Sequence, residues 1–252
     1  MTTASPIGLL RFRGPDAVKF LQGQLSNDMT ALSNDRLMLA GFHNPQGRVL
    51  ALLRLAALAP DHIVALLPAE LAAATMATLR RYVLRAKVTI SNDSNPAMLA
   101  ELAAQLPCTA AALSAATRAA ELAAGLPQVY AASSGEFVAQ MLNLDCIGAI
   151  SFNKGCYTGQ EIIARAHYRG RMKRRMQRFV SNGPAALTPG QSITLGDGRS
   201  AQVVDAVTLA DGRAEFLAVA VLEAGPTAAM ADIAAAASLA VTPLPLPYAL
   251  PK

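Results

Sequence analysis

Cysteine and histidine are scarce in this chain of 252 residues, which has three of each. No two cysteines form a CxxC pair, and no histidine stands at a metal-ligand spacing from a cysteine. Three unevenly spaced cysteines exclude a disulfide framework and indicate a reducing compartment. A permanent iron–sulfur cluster usually takes four thiolates from its protein. The sequence therefore predicts no metal site held by this chain alone.

Long apolar runs are also absent. Although 53% of the residues are hydrophobic, no stretch of 18 or more strongly apolar residues occurs, so a membrane span is not expected. The N-terminus has no basic region followed by a long apolar stretch, which argues against a signal peptide. Together with the cysteine usage, these observations predict a folded cytoplasmic protein that does not bind a membrane.

Acidic residues are missing from residue 162 to residue 196. Seven cations lie in this segment between residues 165 and 178: Arg165, Arg169, Arg171, Lys173, Arg174, Arg175 and Arg178. They exceed the formal net charge of the whole chain, which is +5, so the remainder is slightly acidic. The basic character is therefore local, and it indicates an anionic ligand or partner at one place.

The first half of the chain alternates between strand-like and helix-like patterns. Strands are predicted at 9–13, 37–42, 48–55, 62–67 and 87–90, and helices after Gly14-Pro15-Asp16, at 69–85 and within 97–126, with a break at Pro107. Asn44-Pro45-Gln46-Gly47 has the residues of a type I turn, which predicts a hairpin. This order predicts an α+β fold, with helices on one face of an antiparallel sheet.

After residue 177 the pattern changes. Short strand candidates at 178–180, 192–195, 201–209 and 214–222 are separated by Gly, Asp and Pro turns. This spacing predicts a small C-terminal β-barrel, with a sandwich as the alternative, and the prolines of 242–251 predict an extended surface tail. The predicted domains are an α+β body over 1–176, with a ferredoxin-like subdomain at 47–127, and the barrel with its proline-rich tail over 177–252.

The motif richest in chemistry is Lys154-Gly155-Cys156-Tyr157-Thr158-Gly159-Gln160-Glu161. Ile162 and Ile163 continue it as a helical pattern, which puts Cys156 at or just before a helix N-terminus. The helix dipole and nearby cations favour a thiolate there, and the glycines let a ligand approach the backbone. A small buried cysteine in a glycine turn is the alternative. The absence of a neighbouring histidine disfavours a protease-like nucleophile.

Several segments resemble the YgfZ family of folate-binding proteins, which are related to the T-protein of the glycine cleavage system. The similar segments are Ser151–Glu161, Ala164-Arg165, Arg169-Gly170, Lys173-Arg174, Gly14–Ala17, Phe20–Leu25, Asn27-Asp28, Asn44, Gly47-Arg48 and Leu246–Tyr248. The resemblance covers most of the chain, but residues 97–130 share little with it.

The resemblance implies a T-protein-like α+β body with a central folate pocket, followed by a small β-barrel. Tetrahydrofolate, or another reduced folate, is the implied cofactor. The implied function is an accessory role in the assembly or repair of iron–sulfur enzymes, including those that thiolate tRNA. Iron–sulfur client enzymes or cluster assembly proteins would be its partners, and a stand-alone enzyme is less expected.

The resemblance marks Cys156 as the functional, catalytic residue. The other motif positions expected to bind the cofactor are Lys154, Gly155, Tyr157, Gly159, Gln160 and Glu161. The chemistry of folate adds expectations of its own: Asp28 or Glu161 would accept hydrogen bonds from the pterin, and Arg165 and Arg169 would meet the glutamate carboxylates. For each of these residues a turn, a core contact or a solvated surface is the alternative role.

Two further functions stay open from the residues. A folate-dependent one-carbon transferase, acting on an aminomethyl or methyl donor, would need a carboxylate at the folate, and the sequence identifies none. An RNA-binding module would follow from the basic run and predicts salt-sensitive tRNA contact. The run contains Tyr168 but few other aromatic residues for stacking on bases.

Overall fold

A computed structural model describes residues 7–113, 117–170, 172–222 and 238–251. This part of the chain contains two five-stranded sheets and six α-helices. The strands are β1 (Ile7–Arg13), β2 (Met38–His43), β3 (Val49–Ala59), β4 (His62–Pro68), β5 (Thr89–Asn92), β6 (Arg174–Pro184), β7 (Ser192–Thr194), β8 (Ser200–Thr208), β9 (Arg213–Val221) and β10 (Val241–Leu244). The helices are α1 (Ala17–Gln22), α2 (Ala69–Arg80), α3 (Pro96–Gln105), α4 (Pro107–Ala112), α5 (Thr117–Ala123) and α6 (Gln160–Arg169). Short 3-10 turns lie at Met29–Ala31, Ala131–Ser133 and Ala139–Leu142.

The first sheet has the strand order β2-β3-β4-β1-β5, and all its neighbouring strands are antiparallel. The predicted hairpin joins β2 to β3. Within its turn, the Gly47 N–H donates to the Asn44 carbonyl oxygen at 2.9 Å, the bond that closes a β-turn. The predictions of an antiparallel α+β sheet and of this hairpin are therefore confirmed.

Helices cover both faces of the first sheet. Leu9 and Leu66 pack with Leu102 of α3 on one face, while Leu10 packs in the same cluster as Leu71 of α2 on the other. Successive strand residues point to opposite faces, so the continuous apolar run Ile63–Leu67 of β4 is buried on both faces of the sheet. The prediction that helices lie on one face only is therefore wrong.

The second sheet has the order β10-β6-β9-β8-β7 and is antiparallel throughout. Within the described residues, its outer strands meet at one isolated bridge, between Leu195 and Leu239, instead of a continuous ladder. The predicted closed barrel is thus not confirmed. The segment predicted as an extended surface tail begins as the edge strand β10, and its described residues are all half-buried or exposed. Pro243 is tolerated there because an edge strand can leave its outer N–H positions unpaired.

The largest apolar core contains residues of both sheets. Met176 and Leu217 of the second sheet belong to the same cluster as Phe42 and Leu52 of the first. The division into domains at 176/177 and the ferredoxin-like subdomain at 47–127 stay predictions. In the described part of the chain, no helix is long and apolar enough to cross a bilayer.

A buried network of charges also joins the two sheets. The Asp205 carboxylate in β8 accepts hydrogen bonds from Arg118 of α5 and, at 3.0 Å, from the Tyr130 hydroxyl. Arg118 also pairs with Glu121 at 2.6 Å, and Glu121 pairs with Arg54 of β3 at 2.8 Å. Burial raises the pKa of Asp205 and lowers that of Arg54. The network runs from the first sheet through α5 to the second sheet.

Candidate functional site around the cysteine loop

The cysteine loop, defined as residues 151–159, leads into α6 and packs against the β2–β3 turn. Gly159 has φ +83°, and a Cβ atom at this position would lie 2.6 Å from the Asn44 carbonyl oxygen. Gly47 in the turn has φ +71°, and its own Cβ position faces Ile162 at 3.1 Å. Both positions require glycine, because the backbone is left-handed and the neighbours are close. The helix predicted after the motif is confirmed as α6.

We expect Gly159→Ala to destabilise the protein more than Gly198→Ala. The two glycines have nearly equal φ angles, +83° and +82°, but nothing lies within 4 Å of a Cβ at Gly198. A left-handed alanine costs about 1–2 kcal/mol by itself, and the clash with the turn adds to this at Gly159. Urea unfolding of both variants measures the difference. Equal losses would show that contact with the turn does not constrain the loop.

Lys154 ties the cysteine loop to the polar loop, defined as residues 22–28. Its Nζ donates to the carbonyl oxygens of Gln22, Leu25 and Asn27 at 2.7, 2.7 and 2.8 Å. These bonds use all three N–H donors of the ammonium group. Burial lowers the pKa of Lys154 to about 8, and the charge of Asp28 opposes this shift. Lys154 therefore acts on the site by holding the backbone of the polar loop.

Further hydrogen bonds join the polar loop to the chain just before the cysteine. Asn27 Nδ2 donates to the Gly148 carbonyl oxygen at 2.8 Å, and Ser26 Oγ donates to that of Ala149 at 2.7 Å. The Ser151 N–H donates to the Ser26 carbonyl oxygen at 2.9 Å. The two loops are thus one hydrogen-bonded unit. Sequence reasoning did not predict this unit, although a polar run between a helix and a strand was a usable signal.

Asp28 lies at the end of the polar loop, and only one of its two carboxylate oxygens accepts hydrogen bonds from described residues. Its Oδ1 accepts from the Thr30 hydroxyl at 2.7 Å, from the Thr30 N–H at 3.1 Å and from Gln22 Nε2 at 3.1 Å. The bond from the Thr30 hydroxyl is the main cause that lowers the pKa of Asp28. Among the described residues, Oδ2 has no hydrogen-bond partner. Asp28 is therefore an ionised acceptor with a free oxygen.

Buried polar atoms without partners lie close by. Gln24 Oε1, in the polar loop, is one of them. His43, at the end of β2, is 1% exposed, and neither ring nitrogen makes a well-directed hydrogen bond with a described residue. Burial lowers the pKa of His43 to about 3, and the backbone of Gly47 opposes part of this shift. Such orphaned atoms are uncommon, and they fit a place where water or a ligand supplies the partner.

The motif residues differ in exposure. Tyr157 is buried, its ring lies 5.1 Å from the Lys154 ammonium and 6.3 Å from the His43 ring, and burial raises its pKa to about 12. It belongs to the core instead of an open stacking surface. Cys156 is exposed, and a Cβ at Gly155 would meet nothing within 4 Å. Because Cys156 precedes the first helical residue by four positions, the expected effect of the helix end on its thiol stays a prediction.

The structure divides the basic run into an inner and an outer group. Arg175 pairs with Asp145 at 2.9 Å, both side chains being 4% exposed, and Arg178 pairs with Glu215 at 2.7 Å. The outer group is exposed and has no ion-pair partner in the described part of the chain: Arg165, Arg169 and Lys173. Arg174 donates to a backbone carbonyl oxygen, and Arg171 lies outside the described residues. An anionic ligand can therefore meet fewer cations than the sequence count indicates.

The predicted site residues thus fall into two groups. Asp28, Lys154 and Tyr157 lie together around the polar loop. Gly155, Cys156, Glu161, Arg165 and Arg169 are exposed on the cysteine loop and α6, and Gly159 and Gln160 form the junction. The buried pair Arg118–Asp205 was not predicted, although a charged residue inside the apolar strand β8 was a usable signal.

The fold can be compared with solved structures. A scan against protein-family models finds no match. The glycine cleavage system aminomethyltransferase T from Bartonella henselae superposes with a TM-score of 0.64, covering 86% of this chain and 77% of that one at 16% identity. At this identity the likeness concerns the fold alone. The chain therefore has an aminomethyltransferase-like fold.

Sequence comparison adds relatives over most of the length. The tRNA-modifying protein YgfZ of Edwardsiella ictaluri is 30% identical over 259 residues, covering 79% of this chain and 77% of the relative. The tRNA-modifying protein YgfZ of Cronobacter sakazakii is 28% identical over 296 residues, covering 94% of this chain and 90% of the relative. The chain belongs to the YgfZ family, as the motif resemblance predicted.

Proposed function

We propose that this protein is a tetrahydrofolate-binding accessory factor in tRNA modification, which supports iron–sulfur enzymes through Cys156. Membership of the YgfZ family carries the proposal, because the relatives are named as tRNA-modifying proteins. The folate part draws further support from the aminomethyltransferase-like fold. The iron–sulfur part rests on the resemblance of the cysteine motif.

The residues of the site fit a reduced folate. A pterin ring offers N–H donors and a folate tail offers carboxylates. The free Oδ2 of Asp28 and the orphaned Oε1 of Gln24 are acceptors in the same loop. Arg165 and Arg169 are exposed cations for the tail. Lys154 then positions the folate site indirectly, by holding the backbone that carries Asp28.

One-carbon transfer is the second candidate, favoured by the likeness of the fold to an aminomethyltransferase. Asp28 is the carboxylate that this reaction would use, because its Oδ2 accepts no hydrogen bond from a described residue. The two functions differ in what the purified protein does with tetrahydrofolate and an aminomethyl donor. Sustained formation of methylene-tetrahydrofolate would replace the accessory role with a transferase activity.

Tetrahydrofolate affinity, measured by anaerobic calorimetry, tests the cofactor assignment. We expect Asp28→Asn to weaken binding about tenfold or more, because a hydrogen bond to a charged group contributes about 1.5–3 kcal/mol. Asp35→Asn is the matched control, since the exposed Asp35 also accepts from a nearby hydroxyl, that of Ser33, and it should bind as the wild type does. Absence of binding by the wild type would overturn the folate proposal. Unchanged binding by Asp28→Asn would show that the pterin does not bind at the polar loop.

A further inference from the structure

Three aromatic side chains form a cluster at the surface where the cysteine loop meets α6, and two of them are exposed. The rings of Phe152 and His167 stack, with centroids 3.8 Å apart and planes inclined by 18°. Tyr168 meets both edge-on, with centroid distances of 6.0 Å to Phe152 and 4.8 Å to His167. Tyr168 is 67% exposed, and His167 is exposed as well. Phe152 is half-buried and packs against the main apolar core, so it holds the two exposed rings in place, and these offer aromatic surface to a partner.

Unpaired cations flank this cluster. Arg165 and Tyr168 are three residues apart on α6 and so are neighbours on the helix surface, and Arg169 follows directly. Lys173 is exposed just beyond the helix. Glu161 is the one acid of α6, and it stands in the first turn, about two turns before Tyr168. The face around Tyr168 is thus aromatic and positively charged.

We propose that this face, defined as Phe152, Arg165, His167, Tyr168 and Arg169, binds unpaired nucleotides of RNA. An exposed aromatic ring stacks on a base of any sequence, and arginines beside it neutralise the backbone phosphates. A folate ring fits this face less well, because cofactors bind in concave sites that cover most of their surface. The inference deepens the proposed function and rests on it for tRNA as the natural source of the RNA.

Fluorescence anisotropy with a short, labelled, single-stranded oligoadenylate tests the proposal. We expect Tyr168→Ala to weaken binding by about tenfold, within the range for one stacked base, while Tyr168→Phe keeps near wild-type affinity because it keeps the ring. In the Arg165→Ala/Arg169→Ala variant, the slope of log affinity against log salt should fall by about 0.7 per lost phosphate contact.

The matched control lies at the end of α2. Tyr82 is 43% exposed and stands beside the exposed Arg81, so Tyr82→Ala removes the same residue type from another basic surface. Absence of binding by the wild type at low salt, or an equal loss in Tyr82→Ala and Tyr168→Ala, would overturn the proposal. Tetrahydrofolate affinity is measured on the two tyrosine variants only, because Arg165 and Arg169 are also the cations proposed for the folate tail. A loss of folate affinity in Tyr168→Ala would assign the cluster to the cofactor and overturn the RNA proposal. Failure of the wild type to bind folate would overturn the proposed folate function but not RNA binding by this face.

Discussion

We expect the wild-type protein to restore thiolated tRNA nucleosides in bacteria that lack their own YgfZ protein, and we expect a Cys156→Ala variant to lose this effect. The expected loss is nearly complete, because Cys156 is the one cysteine of the cysteine loop. The fold should be unaffected: Cys156 is exposed, and truncation of an exposed side chain usually changes stability by less than about 0.5 kcal/mol. Tetrahydrofolate affinity should also persist. The measurement pairs nucleoside analysis by mass spectrometry with calorimetry of the purified variant.

The other two cysteines provide the controls. Burial raises the pKa of Cys146 to about 11 and also raises that of Cys108, so both thiols stay protonated and poorly reactive. Cys146→Ala and Cys108→Ala should therefore keep wild-type nucleoside levels. Normal levels in Cys156→Ala would remove Cys156 from the mechanism. A loss of folate affinity in that variant would instead give the thiol a binding role.

An Asp205→Ala variant is expected to lose about 3–5 kcal/mol of unfolding free energy, the usual cost of removing one partner from a buried ion pair. The substitution deprives Arg118 of one carboxylate and the Tyr130 hydroxyl of its acceptor. Asp205 is 2% exposed, so little water can replace what is lost. Asp205→Asn keeps an acceptor for Tyr130 and should fall between the alanine variant and the wild type. Urea unfolding measures all three proteins.

Asp211→Ala is the matched control for Asp205. Asp211 pairs with Arg213 on the surface, where the two side chains are 52% and 41% exposed. Exposed pairs contribute about 0–1 kcal/mol, so this variant should be nearly as stable as the wild type. If Asp205→Ala were equally mild, the network between the two sheets would be incidental to the stability of the fold.

Local patterns predicted those elements whose signals are contiguous in sequence. The turn Asn44–Gly47 and the helix after Pro15 were found because the determining residues are neighbours. The end of α2 was placed too late, at residue 85 instead of Arg80. The helical spacing continues past Arg80, but the chain must turn back so that β5 can pair with β1. This requirement comes from strand pairing in the sheet, and the sequence of the helix carries no signal of it.

The site was harder to predict, because its contacts join distant segments. The motif identified Lys154, but its partners are backbone carbonyl oxygens, which carry no side-chain signal. Counting charges found the basic run but could not show that Arg175 faces Asp145, or that Arg178 faces Glu215. The aromatic cluster was missed because Phe152 lies 15 positions before His167 and meets it only once α6 has formed.

The attachment of the cysteine loop by Lys154 also concerns the order of folding. Lys154 and Gln22 are 132 positions apart, so their hydrogen bond closes a very long chain segment at a considerable entropic cost. Contacts this distant in sequence form slowly and late. On a nascent or partly folded chain, the thiol of Cys156 therefore sits on an unanchored segment. The attachment of the cysteine loop to the polar loop through Lys154 is therefore complete only in the folded molecule.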